Sequence, residues 1–202
     1  MKVELGELQS DALGELFNIG VGRAASALSQ IVRQEVELSA PVVVLLSADE
    51  ARERLLAGQM NKLSAVSQTF TGPFDARAML LFTEKNALTI VGCMFGENMT
   101  PEELSEYEQE AMCEVGNIIL NACLSALADE FDAEFDGGLP EYQFADSATL
   151  ELFPEEYVLL MQIDLTISQS QVRGSLMFLL GVDSLLRLLE CIDHYLARQG
   201  LL

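Results

Sequence analysis

Apolar residues recur at helical spacing in two long stretches of the chain, Glu7 to Val32 and Pro101 to Phe131. Side chains three and four positions apart share one face of a helix, so both stretches predict long amphipathic helices. The residues expected on the core-facing sides are Leu13, Phe17, Ala24, Leu28 and Ile31 in the first helix, and Met112, Ile119, Cys123 and Leu127 in the second.

The same order of elements is predicted after each long helix. A short extended segment leads to Pro41 or Pro140, an irregular acidic stretch follows, and two strands and an amphipathic helix close the unit. Each strand pair predicts a hairpin because turn signals, Gly72-Pro73 in the first unit and Ser168-Gln-Ser170 in the second, separate its strands. The expected segments are a short helix over Ala48–Leu56, strands over Val66–Thr71, Ala76–Phe82, Tyr157–Ser168 and Val172–Leu180, and closing helices over Ala87–Phe95 and Ser184–Ile192.

Matching segments recur in the same order about one hundred residues apart, which indicates an internal duplication. Asp11–Asn18 aligns with Glu110–Asn117, and Ser26–Leu28 aligns with Ser125–Leu127. No Gly/Ser-rich linker separates the two copies. We therefore predict one pseudo-two-fold domain over 1–202, made of units at about 1–98 and 99–202 that share one sheet.

The charge balance narrows the classes of partner. With 32 acidic and 11 basic residues the net charge is −21, so nucleic acid and anionic lipid surfaces are not expected to bind. Solubility is the simplest use of such a charge, and steering of a partner is the other. No uninterrupted apolar run reaches the length of a membrane span, and the sequence shows no signal-peptide pattern, so we expect a cytoplasmic protein.

The chain is poor in the residues that bind zinc or attack substrates. Its four cysteines form no C-x-x-C pair and all lie in apolar stretches, which is typical of reduced cysteines packed as small hydrophobes. The only histidine, His194, lies outside both long helices, so a Ser-His-Asp set is excluded. Phosphate-binding glycine loops are also absent from the sequence.

A polar stripe runs along the outward side of each long helix. Its members fall within about 60° of one another on the helical wheel, opposite the core-facing residues. They are Asp11, Glu15, Asn18 and Gly22 in the first helix, and Glu110, Glu114, Asn117 and Asn121 in the second. Exposed helices carry Glu and Asn by default, but Asn and Gly within a helix are unfavourable, and here they recur at one register. Gly20, Gly22 and Gly116 also suggest that another surface approaches the helices closely.

An acid and an amide one turn apart suit a particular chemistry. A carboxamide does not titrate, yet it can hydrogen-bond a water and aim it at a phosphorus atom, as amides do in phosphoryl hydrolysis. The electrophile and its metal would then come from a partner, because hard cations prefer six or more oxygen ligands gathered from loops.

The two stripes resemble the signature of the CheC/CheX/FliY family of response-regulator phosphatases from bacterial chemotaxis. That signature is Asp or Ser, three residues, Glu, two residues, Asn, twenty-two residues and Pro. The first copy matches at Asp11, Glu15, Asn18 and Pro41, and the second at Glu110, Glu114, Asn117 and Pro140. The run Asn18–Leu28 is also similar to the family's Asn-Ile-Gly-x-Gly-x-Ala-x-x-Ala-Leu pattern. The resemblance covers essentially the whole chain, and two signatures look like CheC rather than the one-site homodimer CheX.

The resemblance implies a fold and an activity. The fold would be α+β, with a shared and mostly antiparallel sheet and the two long helices side by side on one face. The activity would be removal of the aspartyl phosphate from a CheY-type receiver. Asn18 and Asn117 would orient water, Glu15 and Glu114 would anchor the receiver, and Asp11, Gly22, Glu110 and Asn121 would support partner binding. The receiver would supply Mg²⁺, since the family needs no cofactor of its own, and a CheD-like deamidase is a possible second partner.

One departure from the family pattern and two alternatives remain. The second signature begins with Glu110 where the family has Asp or Ser, which predicts a weaker second site. The chain could instead be a non-catalytic adaptor for a receiver, a CheD-like deamidase or a flagellar-switch protein. It could also be a relic of the duplication in which one site is dead.

Overall fold

The long helices begin and end where local sequence signals place them. The computed structural model describes residues 4–39, 42–57, 62–95, 99–146, 157–167 and 170–202. Helix α1 spans Glu7–Val32, and Gln9 accepts a hydrogen bond from the backbone N–H of Gly6 just before it. Helix α4 spans Pro101–Phe131, with Pro at the first helical position. The Thr100 hydroxyl caps it by accepting from the backbone N–H of Glu103, and the Glu103 carboxylate accepts from the backbone N–H of Thr100. Both helices end on a left-handed residue with φ of 53°, Arg33 and Asp132 respectively.

The remaining elements alternate between strands and shorter helices. The helices are α2 (Ala48–Ala57), α3 (Glu84–Phe95) and α5 (Val182–Arg198). The strands are β1 (Val36–Ser39), β2 (Val43–Ser47), β3 (Lys62–Thr71), β4 (Ala76–Thr83), β5 (Asp136–Gly137), β6 (Glu141–Asp146), β7 (Tyr157–Ile167) and β8 (Ser170–Leu180).

One antiparallel sheet runs through both halves of the chain. The central path is β1-β7-β8-β4-β3-β5, with β2 also paired to β7 and β6 also paired to β3. Strands β4 and β8 meet in the middle, where Met79 lies opposite Met177 and Leu80 opposite Leu176. Each half therefore contributes its outer strands to the other half's hairpin. The α+β class and the shared antiparallel sheet are as predicted; the duplication itself stays a prediction.

The sheet is covered on both faces. On one face α1, α3, α4 and α5 bury a large aliphatic and phenylalanine core, in which the rings of Phe17 and Phe178 lie 5.1 Å apart. A smaller cluster on the other face includes Met79, Leu81 and Met177 and is joined by Ala51 from α2. Alternate residues of β4 thus point into different cores, as the two-residue period of a strand requires.

Two glycines allow the long helices to pack closely. A Cβ built on Gly20 would lie 2.5 Å from the Cα of Cys123, so α1 approaches the backbone of α4 at this point. A Cβ on Gly116 would lie 2.4 Å from a methyl group of Val66 on β3, so α4 presses onto the sheet there. These distances are too short for any side chain, and both glycines are required by packing inside the molecule. The expectation that they open a surface to a partner is therefore wrong for Gly20 and Gly116.

Most of the predicted elements are confirmed, including both long helices, both strand pairs and the short helix over Ala48–Leu56. Pro41 and the turn residues 168–169 lie outside the described residues. Strand β3 begins at Lys62 rather than Val66, because Leu63, Ser64 and Ala65 are already paired with β4. The described part of the acidic stretch after Pro140, residues 141–146, is not irregular, since it forms β6, which pairs with β3.

One further sequence inference needs correction, and one helix bears on the expectation that no segment spans a membrane. Ile31 was expected in the core but is 38% exposed, because the buried face of the last turn passes from Leu28 to Val32. Helix α4 is the one described helix apolar and long enough to cross a bilayer, with mean hydropathy of 1.5 in its most apolar window. That window is 56% buried in the structure, so packing in the protein core explains its apolar composition. The length of the helix is only weak evidence for a membrane-spanning segment.

Replacing Gly20 with Ala should destabilise the protein, whereas replacing Gly14 should not. The methyl group added at position 20 would overlap the α4 backbone and force the helices apart, at a net cost of about 1–3 kcal/mol. A Cβ on Gly14 meets nothing within 4 Å. Gly14→Ala should therefore gain up to about 1 kcal/mol from helix propensity alone. Urea unfolding midpoints would compare the two variants, and similar stabilisation by both would contradict the packing assignment.

Candidate functional site

The first polar stripe lies on the exposed side of α1. Asp11, Glu15, Asn18 and Gly22 are all exposed, while Leu13 and the other core residues of the helix face the sheet. The helix buries Leu16 and Phe17 between Glu15 and Asn18, so its rotation about its own axis is fixed. The acid and the amide consequently remain on the surface, one turn apart, where a docking protein can reach both.

The second polar stripe is divided between the surface and the protein interior. Glu110 and Glu114 are exposed, whereas Asn117 and Asn121 are half-buried. The Asn121 Nδ2 group donates to the backbone carbonyl of Asn117 and to its side-chain Oδ1, both at 2.7 Å. The expectation that all four residues face outward is therefore incomplete, because Asn121 turns towards the sheet.

A buried glutamine supports this second stripe from strand β3. Gln68 is 4% exposed, and its Nε2 group donates to the carbonyl oxygen of Gly138 at 2.7 Å. Its amide group lies 3.5 Å from the amide of Asn121. Sequence reasoning missed Gln68; the available signal was a long polar residue within the predicted strand Val66–Thr71.

The corresponding position in the first helix is Gly22, which has no side chain to play the part of Asn121. A Cβ built on Gly22 meets nothing within 4 Å, so the space at this position is open to a larger residue or to a partner. The two acid–amide pairs therefore share a sequence register but have different surroundings.

The first site borders a depression formed by the end of α5. This depression, of about 270 Å³, is lined by Leu8, Asp11, Ala12, Glu15, Tyr195, Leu196, Gln199 and Leu201. Burial, followed by the nearby carboxylates of Glu130 and Glu15, raises the pKa of the Tyr195 hydroxyl. Tyr195 is thus a neutral hydroxyl beside the two acids of the first stripe, and it was not identified from the sequence.

A second buried polar contact lies between one and two turns before Glu114 on α4. Glu108 is only 5% exposed, and its carboxylate accepts a hydrogen bond of 2.8 Å from the hydroxyl of Tyr142 on β6. Burial first, and then the bond to this carboxylate, raises the pKa of Tyr142 far above its usual range. The pair joins α4 to the strand that follows Pro140. The signal in the sequence was a Glu on the same helix face as Met112.

Three of the four cysteines, Cys93, Cys123 and Cys191, lie within or against the apolar core. Burial raises the pKa of the Cys123 thiol to about 12. A thiol with so high a pKa stays protonated and unreactive at neutral pH. In the described ranges, no three His, Cys, Asp or Glu side chains are grouped so as to hold a metal ion.

Comparisons with known proteins find relatives that match the first signature and much of the chain. The CheC-like family model matches residues 8–45, which contain Asp11, Glu15, Asn18 and Pro41. The flagellar motor switch phosphatase FliY of Bacillus subtilis (strain 168) is 24% identical over 71% of this chain and 37% of its own length. The CheY-P phosphatase CheC of the same organism is 28% identical over 67% of this chain and 66% of its own. The chain thus spans less than two thirds of either relative.

Solved structures share the fold. FliY from Thermotoga maritima has a TM-score of 0.79 at 18% identity, covering 96% of this chain and 100% of that one. The FliM middle domain from H. pylori has a TM-score of 0.64 at 13% identity, covering 93% and 99%. CheX, in a complex with CheY, BeF3 and Mg²⁺ from Borrelia burgdorferi, has a TM-score of 0.53 at 17% identity, covering 82% and 96%.

The likeness to the CheC-like family rests on signature, sequence and fold together. The family model matches the helix that carries the first acid–amide pair, two curated relatives match over about two thirds of the chain, and FliY shares its architecture almost end to end. Over residues 8–45 the chain is similar to the CheC-like family, and nearly its whole length shares the fold of FliY from Thermotoga maritima.

Proposed function

We propose that this protein hydrolyses the aspartyl phosphate of a CheY-type response regulator. The observation that carries the proposal is the acid–amide pair, which occurs twice and lies on two long helices whose opposite faces are locked into one core. The names of the relatives support it, since CheC is a CheY-P phosphatase and FliY a motor switch phosphatase. The complex of CheX with CheY supports a receiver as the partner.

In this mechanism Asn18 and Asn117 act on the attacking water. The carboxamide oxygen accepts a hydrogen bond from the water and aims its lone pair at phosphorus, opposite the aspartyl oxygen. The water oxygen forms the new P–O bond, the bond to the aspartyl oxygen breaks, and the electron pair stays on the receiver's carboxylate. Both protons of the water leave with the phosphate, which departs as dihydrogen phosphate. Mg²⁺ held by the receiver would neutralise charge on the phosphoryl oxygens.

The carboxylates hold the receiver in place. Glu15 and Glu114 are exposed one turn before each Asn, where they can pair with a basic side chain near the phosphoaspartate. Asp11, Gly22 and Glu110 belong to the same contact surface in this proposal, whereas the side chain of Asn121, also expected to support partner binding, is hydrogen-bonded to Asn117. A cytoplasmic location and a CheD-like deamidase as second partner are parts of the proposal too.

Removing both amides should abolish turnover without unfolding the protein. Asn18→Ala combined with Asn117→Ala leaves both helices intact, because Ala favours helix more than Asn does. Release of phosphate from a purified phospho-receiver should fall to the receiver's spontaneous rate. Ser26→Ala combined with Ser125→Ala is the matched control, since these exposed serines lie about two turns further along the same helices. Unchanged turnover in the double Asn variant would exclude the mechanism.

Neutralising the two anchoring acids should weaken binding more than chemistry. Glu15→Gln combined with Glu114→Gln keeps size but removes charge, and exposed ion pairs contribute about 0.2–1 kcal/mol each. The KM for the phospho-receiver should rise several-fold at low salt while kcat changes little, and the difference should shrink in high salt.

The control for this test removes the same number of charges elsewhere. Glu37→Gln combined with Glu134→Gln changes two exposed acids outside the stripes. If this control raises KM as much as the stripe variant, then net charge, not anchoring, governs receiver binding.

The second candidate function is a non-catalytic adaptor. The likeness to FliM middle domains favours it, since one solved FliM is in a complex with FliG and another in a complex with SpeE. An adaptor would bind its receiver or switch partner without accelerating phosphate loss, and its binding would not depend on Asn18 or Asn117. The dephosphorylation assay therefore separates the two functions directly.

A further inference from the structure

Asn121 lies one helical turn after Asn117, and its side chain makes two hydrogen bonds to that residue. Both hydrogen bonds from Nδ2 are 2.7 Å long, one to the Asn117 backbone carbonyl and one to Oδ1. The Nδ2 group makes its two shortest contacts with Asn117 and a longer one, of 3.5 Å, with the Oε1 atom of Gln68. Residues four apart on a helix are neighbours, and this contact needs no distortion of α4.

This contact determines which way round the Asn117 amide is held. The terminal torsion of Asn has a broad, roughly two-fold profile, so an unrestrained amide exchanges its oxygen and nitrogen easily. A donor aimed at Oδ1 favours one of the two orientations, because the flipped amide would place two donors against each other. The second lone pair of Oδ1 and the Nδ2 protons are then the groups that can contact a water and a phosphoryl oxygen.

The sheet in turn supports Asn121. Gln68 is buried on β3 and is itself held by its 2.7 Å bond to the carbonyl oxygen of Gly138. The Nε2 atom of Gln68 lies 3.5 Å from Oδ1 of Asn121, and its Oε1 atom lies 3.5 Å from Nδ2 of Asn121. These distances are too long for strong hydrogen bonds but short enough to set the orientation of the Asn121 amide. A continuous polar path therefore connects Asn117 to the segment that contains Pro140, the last residue of the second signature.

We propose that Asn121, backed by Gln68, is a positioning residue that holds the Asn117 amide in its water-orienting rotamer. The inference rests on the proposed function and deepens it for the second site. Gly22 stands at the corresponding position of α1, so this form of support belongs to α4 alone among the two long helices. Asn121 does not touch the reacting atoms; it acts through Asn117.

The test uses the full chain with only the second site working. In an Asn18→Ala background, Asn121→Ala should lower kcat about tenfold, the order expected when one hydrogen bond is lost, with KM changed less than about twofold. Asn121→Asp has the same shape but cannot donate, so it should lower kcat at least as much. Ser125→Ala, an exposed change one turn further along α4, should leave kcat and KM unchanged.

A second readout does not depend on activity. Side-chain ¹⁵N relaxation should show the Asn117 amide ordered in the native chain and mobile in Asn121→Ala, while the melting temperatures of the two proteins stay close. The inference would be overturned if kcat stayed unchanged in both Asn121 variants or if only KM changed. It would also be overturned if the Asn18→Ala background were inactive while the native protein was active. If the native protein fails to dephosphorylate any receiver, the proposed function fails, and amide relaxation alone decides the positioning role.

Discussion

The close packing of α1 and α4 against each other and onto one sheet is the constraint on which the rest of the molecule depends. Gly20 brings α1 to the backbone of α4, and Gly116 brings α4 onto Val66 of the sheet. Neither helix can turn about its axis, since a rotation by one residue, about 100°, would carry carboxylates into the core. The outward placement of both acid–amide pairs is therefore a consequence of how the opposite faces are buried.

The exchange of outer strands joins the two halves of the chain in one sheet. Strand β7 is flanked by β8 and by β1 and β2 of the other half, while β3 is flanked by β4 and by β5 and β6. Removing either half would leave buried, hydrophobic strand edges without partners, which is unfavourable for any isolated sheet. The absence of a linker in the sequence agrees with this arrangement, because each half already lies within the sheet of the other.

Periodicity in the sequence predicted the helices and hairpins well because each is governed by local contacts. It failed where a long-range contact decides the outcome. Ile31 and Val32 are equally apolar, and only the way the last turn of α1 meets β1 selects Val32 for burial. Gly20 and Gly116 resembled openings for a partner, yet each faces a neighbouring element of the same chain. Gln68 could not be linked to Asn121 because nothing local relates a strand to a helix fifty residues later.

Two copies of one signature do not produce identical sites. From sequence, the copies differ chiefly at Asp11 and Glu110, and the first site was expected to be the stronger. The structure adds a difference outside the signature, at Gly22 and Asn121, which acts on the amide and not on the acid. In the proposed mechanism the acids bear on receiver affinity and the amides on turnover, so these two differences affect separate kinetic parameters. The first helix then keeps the usual anchoring acid, whereas the second holds its amide through Asn121. A ranking of the two sites by signature alone takes account of the acids but not of this support.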